Sequence, residues 1–337
     1  MRRVRIGVIG SGTVGSSVLG LLETRKELFL SQGYKTKILP VLVKNPDKPR
    51  TGVPQGIQFS NNKDILEDAD IIFETMGGTG AALELVLPHL QDGKILITAN
   101  KAMLAECWGA LKPFMMAGQI YCEASVMAGT PVLGPLTGTL RSSTMLELHA
   151  ILSGTCNYIL TRMEHGASYK AALLEAQAKG YAEDPPTLDV SGTDAAHKLC
   201  VLARITIDPD FAWEKVQIRG IEGVDAGRIL EAVRTGQRVK LVGSIVPHNG
   251  AWQATVRPVL LDGEHPLAQS AASRNAIVFH GDASGIVISQ GGGAGGLVTA
   301  SAMVGDLIDH FAGVTGHQPS PKAISVPNHV PESFVEL

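Results

Sequence analysis

A strand that runs straight into Gly10-Ser11-Gly12-Thr13-Val14-Gly15 constrains this chain more than any other feature. The apolar run Val4-Arg5-Ile6-Gly7-Val8-Ile9 precedes the glycines, and a segment of helical periodicity, 14–28, follows them. Strand, glycine turn and helix in that order are the dinucleotide fingerprint of a doubly wound parallel sheet. Gly10 permits the tight turn, Gly12 lets backbone approach a pyrophosphate, and Gly15 lets the helix pack on the strand. The helix start, with Thr13 and Val14, then offers N–H groups and its positive dipole end to phosphate oxygens. Thr75, at the end of a later predicted strand, completes this cofactor-binding set.

The rest of the pattern agrees with that start. Strands are predicted at 4–9, 38–43, 70–74, 95–98 and 120–123, with helices at 14–28, 81–90 and 101–116 between them. Such alternation predicts a parallel sheet covered on both faces, a Rossmann-type α/β domain. From Pro131 the character changes. A strand at 145–152 is followed by helices at 157–166, 169–179 and 193–205, then by strands at 238–246, 252–261, 276–281 and 285–289. Strands and helices in blocks predict a second, α+β domain. The glycine-rich stretch 290–296 precedes a helix at 298–311, an anion-friendly turn in which Gly293 is a further cofactor candidate. The expected division is 1–133 for the nucleotide, 134–297 for the substrate, and 298–337 as a helix and tail packing back on the nucleotide-binding domain.

Composition narrows the partners. With 337 residues, 45% hydrophobic and 18% charged, the chain has enough apolar mass for two cores. A net charge of -3 gives no basis for binding nucleic acid or an anionic membrane surface. The apolar runs are broken by Gly, Pro or charge, so no membrane span is expected. The basic start resembles a signal peptide, yet glycine turn chemistry stands where a cleavage site belongs, which reads as a cytoplasmic protein. Cys107, Cys122, Cys156 and Cys200 show no paired spacing and are expected as free thiols. The ten histidines form no HExxH or HxH pattern, so no transition-metal site is expected.

The residues after the second strand speak to the choice of dinucleotide. An acid there would bind the ribose 2′-OH of NAD. This chain has Val43-Lys44-Asn45-Pro46-Asp47-Lys48-Pro49-Arg50 instead. Lys44, with Lys48 and Arg50 close by, suits a 2′-phosphate, so NADP(H) is favoured. A solvated basic loop explains the same residues, and Asp47 keeps NAD(H) open.

The chemistry concentrates in residues 180–198, where Glu183, Asp189, Asp194 and Lys198 share a loop that turns into a helix. Asp194 and Lys198 are four apart and share a helix face. Hydride transfer to a carbonyl leaves an oxyanion that must gain a proton, and a lysine beside it can supply one. Lys198 is one candidate. Lys101, after the strand at 95–98, is the other, at the carboxyl end of the sheet where open α/β folds bind ligands. For either alone, a surface ion pair is the plainer explanation. Cys156, in Ser153-Gly154-Thr155-Cys156-Asn157, raises thioester chemistry, but no adjacent histidine would activate it. A small buried residue at a helix start accounts for it better.

Taken in order, GxGxVG, 98–101, 123–131, 154–160, 180–198 and 293–302 resemble the homoserine dehydrogenase family over nearly the full length. The resemblance implies NAD(P)H-dependent reduction of aspartate 4-semialdehyde to homoserine, on the route to threonine, methionine and isoleucine. It implies Lys198 and Lys101 as proton-handling lysines, Glu183 on the substrate amino group, and Asp189 and Asp194 positioning substrate and lysine. Gly154 and Thr155 would line the substrate pocket. Main-chain oxygens of Glu123, Val126, Ala128 and Thr130 would wrap a monovalent cation, usually sodium, for which hard oxygen ligands are suited. A homodimer paired through the second-domain sheet is implied as well.

Departures from the family pattern are specific. Glu183-Asp184-Pro185-Pro186 moves the second acid by one place, and Lys44 stands where Arg is frequent, losing the planar fork. A C-terminal ACT domain or kinase fusion, present in many members, is not expected in a sequence ending at residue 337. The alternatives are a related oxidoreductase acting on another amino-acid semialdehyde and a dinucleotide-sensing regulator. The second has no use for a proton relay.

Overall fold

The computed structural model describes residues 1–182, 185–320, 322–332 and 334–337. They form two compact units: Met1–Gly134 with Ala294–Pro319, and Pro135–Gly293 with Ser320–Leu337.

In the first unit, β1 (Arg2–Ile9) leads through the glycine turn into α1 (Thr13–Thr24) and α2 (Lys26–Ser31). There follow β2 (Tyr34–Ile38), β3 (Val41–Leu42), β4 (Phe59–Ser60), β5 (Ile71–Glu74), α3 (Gly80–Gln91) and β6 (Ile95–Thr98). Next come α4 (Lys101–Glu106), α5 (Trp108–Met116), β7 (Ile120–Tyr121) and α6 (Ala124–Met127), and α7 (Leu133–Thr137) spans the boundary at Gly134. The sheet order is β4-β3-β1-β5-β6-β7, with β2 also on β1, and every pairing is parallel. The chain therefore leaves β1 toward one edge and returns to β5 on the other side. The switch point lies between the ends of β1 and β5, where such sheets bind ligands. The core is the apolar central strands, Ile6, Val8, Ile71, Phe73 and Ile97, covered by Val18, Leu19 and Leu22 of α1 and by Met303 and Leu307.

Local chemistry adjusts several expected boundaries. The strand expected at 38–43 is two pieces, because Pro40 lacks the N–H a ladder needs. The helix expected at 101–116 breaks at Cys107 into α4 and α5. Glu123, expected at a strand end, is instead the N-cap of α6.

The second unit opens with β8 (Met145–Ile151), α8 (Gly154–Glu164), α9 (Tyr169–Ala178), α10 (Thr187–Val190) and α11 (Thr193–Thr206). It continues with β9 (Gln217–Ile218), α12 (Ala226–Arg234), β10 (Gln237–His248), β11 (Ala251–Asp262), β12 (Arg274–Gly281) and β13 (Gly285–Gly292). The chain then makes α13 (Gly296–Phe311), which belongs to the first unit, and ends in β14 (Val335–Glu336). The second sheet runs β13-β12-β8-β10-β11-β14, with β9 on β11. It is antiparallel apart from β9, and α8, α11 and α12 pack against it. The tail departs from expectation. Residues from Ser320 onward fold with the second unit, where β14 pairs Val335 with Leu260 and Glu336 with Val259. Among the described residues no helix is long and apolar enough to cross a membrane.

Candidate active site

The fingerprint glycines do what their spacing demands. Gly10 sits at φ +93, and a Cβ on Gly15 would come within 2.4 Å of the Gly10 carbonyl oxygen and 2.7 Å of Thr75 Oγ1. A side chain at Gly15 would thus push α1 off the sheet. Thr75 closes the turn from the other side, its hydroxyl donating to the carbonyls of Ile9 at 2.9 Å and Gly10 at 3.3 Å. Gly12 faces open space and is the N-cap of α1, with no side chain capping the helix. Uncapped amides at a helix start beside open space fit a pyrophosphate.

That turn opens on a cleft of about 1140 Å³, lined by Gly10, Gly12 and Thr13 on one side and by Lys44, Lys48 and Arg50 on the other. The three cations are not equivalent. Lys44 and Lys48 are exposed at the cleft. Arg50 lies over the Phe59 ring at 4.3 Å and donates to the carbonyls of Asn45 at 2.7 Å, Pro46 at 3.2 Å and Lys48 at 2.7 Å. Its guanidinium is the internal staple of the basic loop. A smaller recess of about 460 Å³ adjoins, walled by Ile9, Leu42, Met76 and Leu85.

At the ends of β5 and β6, buried Glu74 organises the next loops. Its carboxylate accepts from the amides of Met76 at 2.8 Å and Gly77 at 3.1 Å and from the Thr98 hydroxyl at 2.7 Å. Thr98 Oγ1 in turn accepts from the Asn100 amide, and Asn100 caps α4 by accepting from the Met103 amide at 3.0 Å. Lys101 is the first residue of that capped helix, partly buried. Glu74 is not among the residues expected from the sequence. An acid ending a strand of buried apolar residues was the available signal.

In the second unit, Lys198 is buried at 9% exposure on α11. Its Nζ donates to the Leu152 carbonyl at 2.8 Å and lies 2.7 Å from Asp194 Oδ2. Gly192 at φ +84 starts α11, which sets Asp194 in the first turn, where the helix dipole favours an anion. The Leu152 carbonyl also accepts from Asn275 Nδ2 at 3.4 Å, and Gly293 packs on the Asn275 side chain. Ser153 caps α8 by accepting from the Cys156 amide at 3.1 Å. Gly154 and Thr155 form the first turn of that helix. A Cβ on Gly154 would come 2.6 Å from the Ser273 carbonyl oxygen, and the Thr155 hydroxyl donates to the Tyr181 carbonyl. Cys156 Sγ donates to the Asp189 carbonyl at 3.0 Å, and burial pushes its thiol up to about 12, which disfavours the thiolate that thioester chemistry needs. Glu183 lies outside the described residues.

The loop 123–130 holds the expected cation ligands on α6 and the turn after it. The Glu123 carboxylate accepts from the amides of Val132 at 2.6 Å and Leu133 at 2.9 Å and from that of Gly134. Ala128 turns the chain at φ +49, a conformation uncommon for a residue with a Cβ.

The dinucleotide turn at the sheet switch point fits a nicotinamide-dependent oxidoreductase. Comparison with known proteins makes this specific. The homoserine dehydrogenase profile matches residues 131–308, and that of the homoserine dehydrogenase NAD-binding domain matches 10–113. The homoserine dehydrogenase of Bacillus subtilis is 33% identical over 94% of this chain and 76% of its own. That of Corynebacterium glutamicum is 36% identical over 90% and 71%. Among solved structures, a homoserine dehydrogenase from Thiobacillus denitrificans superposes with a TM-score of 0.86 at 33% identity, covering 92% of this chain and 74% of that one. A hyperthermophilic archaeal homoserine dehydrogenase in complex with NADPH shares the fold at a TM-score of 0.79 and 24% identity, covering 94% and 100%. The chain belongs to the homoserine dehydrogenase family. It is an NAD(P)-dependent oxidoreductase acting on a CH–OH group.

Proposed function

We propose that the chain interconverts aspartate 4-semialdehyde and homoserine with Lys198 as the proton-handling residue. The observation that carries this is the Lys198 ammonium, buried and held between Asp194 Oδ2 and the Leu152 carbonyl. When bound, the nicotinamide supplies or accepts the hydride. In the direction of reduction, Lys198 gives a proton to the oxygen that gains charge as the carbonyl carbon receives hydride. The lysine then regains a proton from solvent. In the reverse direction the neutral amine takes the hydroxyl proton. Asp194, 2.7 Å from Nζ, aims the amine. Lys101 is assigned as the second lysine of the mechanism from its place at the carboxyl end of the parallel sheet, and Asp189 and Glu183 as substrate ligands by family resemblance. Lys198→Ala tests the assignment, with turnover falling about 10²–10⁴-fold while cofactor affinity holds.

NADP(H) is the preferred cofactor in this account. Lys44 and Lys48 line the cleft beside the fingerprint, and Arg50 holds their loop in shape. A related archaeal enzyme is solved with NADPH. A sodium ion on the main-chain oxygens of Glu123, Val126, Ala128 and Thr130 is supported by the turn at Ala128 and by the hardness of that donor set. A cytoplasmic homodimer serving threonine, methionine and isoleucine synthesis completes the reading. The edge strand β13 supports the dimer, since it leaves Ile286 and Ile288 63% and 50% exposed in this chain.

A further inference from the structure

Three side chains from distant segments converge at the start of β8, away from the candidate active site. Glu147 comes from β8, His280 from β12, and His329 from the C-terminal segment. Glu147 Oε1 lies 3.4 Å from His280 Nδ1 and 3.4 Å from His329 Nε2, and the three atoms all fall within 4.8 Å of one another. A tetrahedral zinc ion with bonds of about 2.0–2.1 Å needs ligand atoms about 3.4 Å apart. Two of the three edges already have that length.

The surroundings are those of a ligand set. The other carboxylate oxygen, Oε2, accepts from the Glu332 amide at 2.7 Å and lies 3.3 Å from His149 Nε2, so Oε1 is the oxygen turned to the histidines. His149 is itself held through Nδ1 by Ser244 Oγ at 2.9 Å. Outer partners of this kind orient metal-binding carboxylates. His329 Nε2 is buried and makes no hydrogen bond among the described residues. The two imidazoles meet edge to face at 87°, with centroids 5.3 Å apart. His280 and His329 keep 29% and 19% of their side-chain surface, which gives an ion a way in.

We propose that Glu147, His280 and His329 bind one divalent transition-metal ion of the zinc class, with water at the fourth position, fastening the C-terminal segment to the second sheet. On binding, each imidazole presents a lone pair, and the proton His280 Nδ1 shares with Glu147 moves to Nε2 or to solvent. Glu147 is five residues before Leu152, about 17 Å along an extended strand, so the ion's role is to hold the tail rather than to act on substrate.

The test is titration of the chelator-stripped full chain with Zn²⁺ by calorimetry and thermal unfolding. The expected result is one equivalent bound and a midpoint that rises with zinc concentration. His280→Asn and His329→Asn should each weaken zinc at least tenfold, while His248→Asn, on an exposed hairpin end, leaves it unchanged. Hydrogen exchange of 322–332 should slow on adding zinc to the parent chain and not to His329→Asn. Absence of a bound equivalent, or equal affinity in the parent and both ligand variants, would overturn the proposal. Zinc binding without slower exchange in the tail would overturn its fastening role.

Discussion

Single atoms decide most of what this chain can do. Lys44 and Arg50 both border the cofactor cleft, but Lys44 is exposed while Arg50 is bonded to three carbonyls of its own loop. Lys44→Ala should therefore weaken NADP(H) roughly tenfold, about 1–2 kcal/mol, and leave NAD(H) nearly unchanged. Arg50→Ala should weaken both by loosening the loop. Fluorescence titration of the two cofactors against each variant separates the cases, and equal losses in Lys44→Ala would remove the 2′-phosphate assignment. Cys156 gives a second check. With its thiol near 12, it should resist iodoacetamide at pH 8 in the native state, and Cys156→Ser should keep turnover within about threefold, less than 1 kcal/mol. Rapid labelling of Cys156 with loss of activity would return thioester chemistry to consideration. At this scale the sequence was readable where chemistry is local. Gly15 and the Asp194–Lys198 pair follow from spacing alone. The convergence of Glu147, His280 and His329 does not, because its three segments meet only in the folded sheet.

Elements place these atoms, and their junctions hold the testable energetics. Residue Gly192 starts α11 in the left-handed region, with Ile218 and Val256 side-chain atoms 3.3 Å from where a Cβ would stand. Gly192→Ala should cost about 1–2 kcal/mol, read as a lower denaturant midpoint at unchanged slope. An unchanged midpoint would show that the turn relaxes freely. Helices α8 and α9 are tied through Glu175, which accepts from the Tyr158 hydroxyl at 2.6 Å and from Arg162 Nε at 2.8 Å. The Tyr158 hydrogen bond first, and then Arg162, hold its carboxyl at about 2, below the ordinary value of 4.5. A depressed carboxyl stabilises the fold above its unfolded value. That contribution is full above about 4.5 and fades as pH falls toward about 2. Glu175→Gln should flatten this part of the acid limb in a stability–pH profile, and an unchanged limb would discount the tie. Most strands were legible because their apolar runs are bounded by turn residues. Helix α12 is not among the expected helices although it carries a signal, since Ile229, Ala232 and Val233 keep helical spacing among Arg228, Glu231 and Arg234. The split at Pro40 shows the limit of apolar runs as a guide. The run continues through the proline, but the hydrogen-bond ladder does not.

For the whole molecule, the first unit is built on a parallel sheet with the glycine turn at its switch point, and the second, mostly antiparallel unit holds the buried Lys198–Asp194 pair. The order of motifs carried family and fold, whereas the tail's return to β11 depended on pairing that no local pattern announces. In the proposed reaction this chain moves a hydride and a proton between homoserine and NADP, with Lys198 handling the proton. The most direct test is steady-state cofactor reduction with L-homoserine and NADP⁺, run on the parent chain and on Lys198→Ala, with cofactor affinity measured separately for each. Homoserine-dependent reduction is expected in the parent, with a loss of turnover of about 10²–10⁴-fold in the variant and equal cofactor affinity in the two. A parent chain that reduces no cofactor with homoserine, or a variant keeping more than half of the turnover, would contradict it.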